Sequence, residues 1–182
     1  MDLMAVFEAG FTAEAYTALL DAKQRDLHAL YERRVDLSDQ DAARFGTSNL
    51  SRLLVITEPW CGDSLAIFPA IAKLCEHAGV PLRVIRRDEY LDLIDRYLTN
   101  GGRAIPIAIG LDEDGHELFH WGPRPAPAQV IFERHRAQLA AGQIEKIEIH
   151  KKIRAFYAND NGKAVVCELL AKVEGPPNEQ PV

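Results

Sequence analysis

Cys61 is the residue of this chain best placed to do chemistry, because of what stands on either side of it. The apolar run Leu53-Leu54-Val55-Ile56-Thr57 precedes it, and Gly62-Asp63-Ser64 opens a segment with helical periodicity. A cysteine where a strand turns into a helix meets the unpaired N–H groups of the first turn and the positive end of the helix dipole. Both favour a thiolate over a thiol, which predicts an exposed, reactive sulfur. Two-cysteine redox sites carry a second cysteine three residues on. Here that position is Ser64, so the motif cannot close a disulfide of its own, although the hydroxyl can donate a hydrogen bond to the Cys61 sulfur. Asp63 suits the dipole, but its charge opposes a neighbouring thiolate. The two effects pull against each other, and modest acidity is predicted. Gly62, without a Cβ, lets a partner chain come close, and Trp60 offers an apolar wall to one side.

The other chemically able residues do not form a second site. Cys75 lies fourteen residues along the same predicted helix, about 21 Å away at 1.5 Å per residue, and disulfide geometry forbids the pairing. With Phe68, Ile71 and Ala72 it fits a core stripe. Cys167, among Val165, Val166, Leu169 and Leu170, is also read as core. His116 and His120 share one face of a predicted strand but stand about 13 Å apart, too far to ligate one metal, so they are read as solvated. His28, His77, His135 and His150 are scattered over helices. No metal-ligand spacing, phosphate loop or Ser-His-Asp pattern stands out, so no metal and no cofactor is predicted.

The elements that must position Cys61 follow from periodicity and punctuation. Residues 12–34 read as one amphipathic helix capped by Thr12, and a short helix is predicted around Asp39–Phe45. Leu53–Thr57 is the first strand and Asp63–Ala78 the helix after the cysteine, stopped at Gly79-Val80-Pro81. Leu82–Arg87 is a second strand, and Tyr90–Leu98 a short helix ended by Asn100-Gly101-Gly102. A hairpin follows, Pro106–Leu111 and His116–Trp121, turning at Asp112-Glu113-Asp114-Gly115. Helices over about 128–140, Ile144–Tyr157 and Gly162–Val173 complete the chain, and the tail from Gly175 to Val182 is expected to be loose. A parallel β-α-β unit with a right-handed crossover, completed by an antiparallel hairpin, predicts an α/β sandwich around a mixed sheet.

These motifs together resemble the thioredoxin superfamily. Trp60-Cys61-Gly62 stands at the strand–helix junction, and Pro69 falls where that family has a helix-kinking proline. Gly102-Arg103-Ala104-Ile105-Pro106 before a strand is similar to its cis-proline loop. Gly122 falls where the family often has a glycine. More narrowly, Trp-Cys-Gly-Asp-Ser resembles a bacterial thioredoxin-like subgroup in which a small residue replaces the second cysteine. The resemblance covers about residues 50–140. It implies a thioredoxin-like α/β sandwich with a central mixed sheet and extra helices at both termini. The chain is then one domain over 1–182: core about 50–140, N-terminal helical extension 1–49, C-terminal helices 141–174 and tail 175–182. The resemblance also implies that Pro106 is cis and that Ile105 offers its backbone to an extended substrate. Two departures matter. Many thioredoxins carry a buried acid six residues before the cysteine, where this chain has Val55. Ser64 leaves a mixed disulfide on Cys61 to be resolved by an outside thiol.

Composition narrows the partners. A net charge of −6 disfavours general nucleic-acid affinity. Arg83, Arg86 and Arg87 are followed at once by Asp88 and Glu89, which reads as an ion-paired surface. Three widely spaced cysteines make neither a disulfide scaffold nor a zinc ribbon. No signal-peptide pattern opens the chain and no apolar run approaches a bilayer span, so a cytoplasmic location without membrane contact is expected. The leading reading is a monothiol protein that exchanges disulfides, or holds mixed disulfides, through Cys61, with Ser64 as its neighbour and Trp60, Gly62, Ile105 and Pro106 meeting the partner. The partners are protein or low-molecular-weight thiols and disulfides. The alternatives are a non-enzymatic interaction module and a glutathione or iron–sulfur role like that of monothiol glutaredoxins. Peroxide reduction is disfavoured, because no Thr/Ser-x-x-Cys pattern surrounds Cys61.

Overall fold

In the computed structural model residues 1–175 are described; the predicted loose tail lies outside the described residues beyond Gly175. Four helices precede the sheet: α1 (Leu3–Ala9), α2 (Ala13–Thr17), α3 (Ala22–Arg34) and α4 (Asp39–Gly46). The single helix predicted over 12–34 is therefore two. Thr12 does cap the first, accepting from the Ala15 N–H at 3.1 Å. The break comes at Asp21, which starts a new helix with a reciprocal capping box. Its carboxylate accepts from the Gln24 N–H at 2.9 Å, and the Gln24 side chain accepts from the Asp21 N–H at 2.7 Å. Satisfying two orphan donors outweighs continuing the helix. The unpredicted α1 is capped by Asp2 and buries Leu3, Val6 and Phe7.

The sheet has the order β2-β1-β3-β4. Central β1 (Arg52–Thr57) pairs in parallel with β2 (Leu82–Arg86) and antiparallel with β3 (Ile107–Leu111). β3 turns into antiparallel β4 (Glu117–Trp121). In that turn the Asp112 carboxylate accepts from the N–H groups of Asp114 and His116. β1 is apolar throughout because both its faces are covered. Leu53 and Val55 belong to the cluster beneath α5 (Gly62–Ala78), while Leu54 and Ile56 join Leu3, Val6, Phe7, Leu93 and Ile94 on the other side. α5 ends at Gly79, whose φ of +69° gives the left-handed cap that glycine adopts without a Cβ penalty. The helix predicted over Tyr90–Leu98 is shorter: α6 (Leu91–Ile94) lies between 3-10 turns at Arg87–Glu89 and Asp95–Tyr97.

Three helices close the fold: α7 (Ala126–Ala140), α8 (Lys146–Asp160) and α9 (Lys163–Glu174). They pack on the core. Glu168 of α9 accepts from the Trp121 indole and from the Ala126 N–H, each at 2.7 Å, which fastens α9 to the end of β4 and the start of α7. α9 buries Val165, Val166, Leu169 and Leu170. Cys167, expected in that core, is exposed instead. The buried residues pair at i, i+1, i+4 and i+5, and 167 falls on the opposite face of a 3.6-residue turn.

Candidate functional site

β1 and α5 place Cys61 just past the C-terminal end of the central strand, where it is the N-cap of α5. The loop before it is fixed from below. Glu58 at the end of β1 is fully buried, and its two carboxylate oxygens accept from the Asp88 N–H at 3.0 Å and the Arg86 guanidinium at 3.3 Å. Its carbonyl accepts from the Cys61 N–H at 3.1 Å. Val55 leaves the strand itself without a buried acid; the buried acid here, Glu58, follows the strand three residues before the cysteine and ties the loop to the end of β2.

The Cys61 sulfur faces the proline loop. Sγ lies 3.5 Å from the Ile105 carbonyl oxygen, which accepts from the thiol. The Ile105–Pro106 bond is cis, as is Gly122–Pro123. Gly122 has a φ of +127°, and a Cβ there would stand 2.2 Å from the Pro106 carbonyl oxygen. Only glycine lets these two loops approach so closely.

Ser64 is buried, one turn into α5. Thr57 of β1 donates to its hydroxyl at 2.5 Å, which leaves the Ser64 proton free to point at Cys61. The Tyr16 hydroxyl of α2 is buried beside Thr57. The position that holds a second thiol in dithiol sites is here the end of a hydroxyl pair running back into the core.

Burial reverses the expectation of an exposed, acidic thiol. Cys61 is only 8% exposed, and desolvation pushes its pKa up. Hydrogen bonds from Ser64 and the backbone of the first turn pull it down, and the charge of Asp63 adds to the rise. The N-terminal position on α5 therefore moderates the desolvation penalty without overcoming it. Because the thiolate is the nucleophile, alkylation of Cys61 by iodoacetamide in a Cys167→Ser background is expected to keep accelerating above the ~8.5 of a free thiol. A rate that levels off below that value would show that the helix terminus dominates.

Asp63 is more than a partner for the helix dipole. It accepts from Tyr157 of α8 at 3.0 Å and pairs with Arg124 at 2.6 Å. The Arg124 guanidinium also lies 5.0 Å from the centre of the Phe132 ring in α7. A carboxylate in the first turn of α5 thus holds two C-terminal segments against the site.

The surroundings form a cleft of about 590 Å³ over Cys61. One rim is Trp60, 55% exposed, with the Arg87 guanidinium 4.7 Å from its ring centre. Arg103 and Ala104 of the proline loop form another rim, and α8 supplies Lys146, His150 and Arg154. At Gly62 a Cβ would meet nothing within 4 Å, so its surface is open. Trp60, Cys61, Gly62 and Ile105 all line this cleft, while Ser64 and Pro106 lie beneath it. Arg124, Lys146, His150 and Arg154 were not singled out as site residues. For the three on α8 the signal was a basic residue at every fourth position of a predicted helix, 146, 150 and 154, which places them on one face; Arg124 carried no such signal. A second cleft of the same volume, between α2, α3 and α5, shares no residue with the first; Cys75 lines it but is fully buried. Among the described residues, metal-ligating atoms converge within 4.8 Å only at Asp112, Asp114 and His116, where Asp112 is already the acceptor of the hairpin turn. Among the described residues no helix is long and apolar enough to cross a membrane.

Residues 10–139 match a family model described as thioredoxin. A protein of unknown function from Pseudomonas aeruginosa has a similar crystal structure, with a TM-score of 0.74 and 21% identity over 96% of this chain and 98% of that one. An HIV epitope-scaffold is also similar, with a TM-score of 0.71 and 20% identity over 97% of this chain and 99% of that one. At such identities the likeness concerns the fold. No curated protein matches the chain.

Proposed function

Because the chain belongs to the thioredoxin family, we propose that Cys61 is a single exchanging thiol that captures disulfides and holds them as mixed disulfides. The Cys61 thiolate attacks one sulfur of a disulfide RS–SR. The bond from Cys61 to SR forms as the S–S bond of the reagent breaks, and the leaving thiolate takes up the proton that Cys61 gave up. Cys61 is oxidised and the departing sulfur is reduced. A second RSH reverses the capture by attacking the mixed disulfide. The observation that carries this reading is the seat of Cys61 on the floor of a cleft, its sulfur against the Ile105 carbonyl. Ser64 acts at both stages: its hydroxyl steadies the attacking thiolate, and it cannot attack the mixed disulfide that forms.

The test uses Cys167→Ser, since Cys167 is exposed and would react for unrelated reasons. Incubation with 2-hydroxyethyl disulfide followed by peptide mass spectrometry is expected to give one adduct, on Cys61, absent from the Cys61→Ser variant. A folded, soluble protein whose Cys61 stays unmodified would sink the reading. It would favour a second one, a binding module with an inert cysteine, which draws on the burial of Cys61.

A further inference from the structure

We propose that the cleft over Cys61 accepts an anionic low-molecular-weight disulfide of about tripeptide length, bearing a carboxylate near each end. The proposal rests on the exchange function above and names its substrate class.

The charge of the cleft is opposite to that of the chain. The whole sequence carries −6, yet the cleft is lined by Arg87, Arg103, Arg124, Lys146 and Arg154 against the single acid Asp63. Three of those cations are already engaged: Arg87 with Asp88, Arg103 with Asp95, and Arg124 with Asp63. Among the described residues Lys146 and Arg154 make no ion pair. Two free cations walling a concave site focus an attractive potential on anions.

The arrangement also sets a length. Lys146 and Arg154 stand eight residues apart on one face of α8, about 12 Å at 1.5 Å per residue. Between them lies His150, half-buried, whose Nε2 has no hydrogen-bond partner among the described residues. Burial lowers its pKa, with Asp63 opposing and Lys146, Arg124 and Arg154 adding to the fall; its Nε2 is closed off from solvent, so the recognition falls to the two charges on either side. A tripeptide reaches about 10 Å when extended, close to the separation of the two cations. A cleft of about 590 Å³ lies within the usual range for small-molecule sites. Trp60 on the opposite rim offers an apolar face to the uncharged middle of such a ligand.

The bond changes are those of capture. Cys61 attacks one sulfur of the anionic disulfide, one half stays bonded to Cys61 with its carboxylates against α8, and the other half leaves as the free thiol. What the cleft adds is a difference in rate between reagents of different charge.

That difference is the test. Rates of Cys61 adduct formation are measured in the Cys167→Ser protein with oxidised glutathione, coenzyme A disulfide, neutral 2-hydroxyethyl disulfide and cationic cystamine. Each rate is divided by the reagent's rate with a small free thiol. Oxidised glutathione is expected to exceed the neutral reagent by about tenfold or more at low salt, and the advantage is expected to shrink at 0.5 M salt as screening sets in. The double variant Lys146→Gln/Arg154→Gln is expected to lower the anionic-to-neutral ratio about tenfold. Lys152→Gln, exposed on another face of α8, is expected to leave the ratio unchanged. Cystamine matching or outrunning glutathione, or a double variant with an unaltered ratio, overturns the proposal. Coenzyme A disulfide outrunning glutathione replaces carboxylate by phosphate and overturns the class named. No adduct with any reagent overturns the exchange function itself, a result distinct from the others.

Discussion

Ser64→Cys is expected to shorten the life of a mixed disulfide on Cys61 by at least about a thousandfold, given the effective concentrations that well-oriented intramolecular groups reach. Residues 61 and 64 span the first turn of α5, within the Cα separation a disulfide bridges. The new thiol would attack the Cys61 sulfur, expel the captured thiol and close an internal disulfide. Ellman's reagent gives a direct readout in the Cys167→Ser background. One coloured thiolate is released per protein when Ser64 is present, because the second half stays on Cys61. Two are released when position 64 carries a thiol. A single equivalent from the Ser64→Cys variant would mean that side chain 64 stays turned toward Thr57, its hydroxyl partner in the parent, and away from the sulfur, so that capture is enforced by geometry as well as by residue type.

The second large effect concerns Arg124. Its side chain is 12% exposed and that of Asp63 14%, so the pair is screened far less than one on the surface. Arg124→Ala leaves the Asp63 carboxylate half-buried with Tyr157 as its remaining partner. A loss of about 3 kcal/mol is expected. For a chain of this size that is a fall of roughly 6–12 °C in Tm. The same variant should push the Cys61 pKa further up, since Arg124 no longer offsets the Asp63 charge, and neutral-pH alkylation slows accordingly. The double change Asp63→Asn/Arg124→Gln, which removes both charges together, is expected to recover more than half of the stability. Calorimetry of the parent and the two variants gives the comparison. A Tm for Arg124→Ala within 1 °C of the parent would show that Asp63 is solvated well enough to stand alone.

The core of this fold was readable because its signals are local. An apolar strand, a capped helix and an Asp-rich hairpin turn each speak within ten residues, and their order implies a mixed sheet. The break at Asp21 was also local, an Asp-x-x-Gln capping box overridden in the reading by apolar spacing that ran through it. The site was legible only on the side made by β1, α5 and the proline loop. Its other wall comes from Arg124 and α8, and nothing near position 63 announces that its carboxylate reaches Tyr157. Desolvation was invisible for the same reason. The motif around Cys61 fixes its place at a helix terminus, but how much water reaches the sulfur depends on elements remote in sequence. Cys167 shows the limit of composition: apolar neighbours do not decide a face, and the phase of α9 turns it outward.

The bond between Asp63 and Tyr157 joins residues 94 positions apart, and that separation has a meaning in time. At about 5–20 residues per second, a ribosome makes Tyr157 roughly 5–20 s after Asp63. In the later part of that interval, after β4 ends at Trp121 and before α8 begins at Lys146, the nascent chain holds every strand of its sheet and the Cys61 helix, while the basic face of α8 has not yet been synthesised. Cys61 then lacks the cover of α8, and on the exchange function proposed above it is expected to be at its least selective. The finished protein differs from its own precursor in the company its one site cysteine can keep.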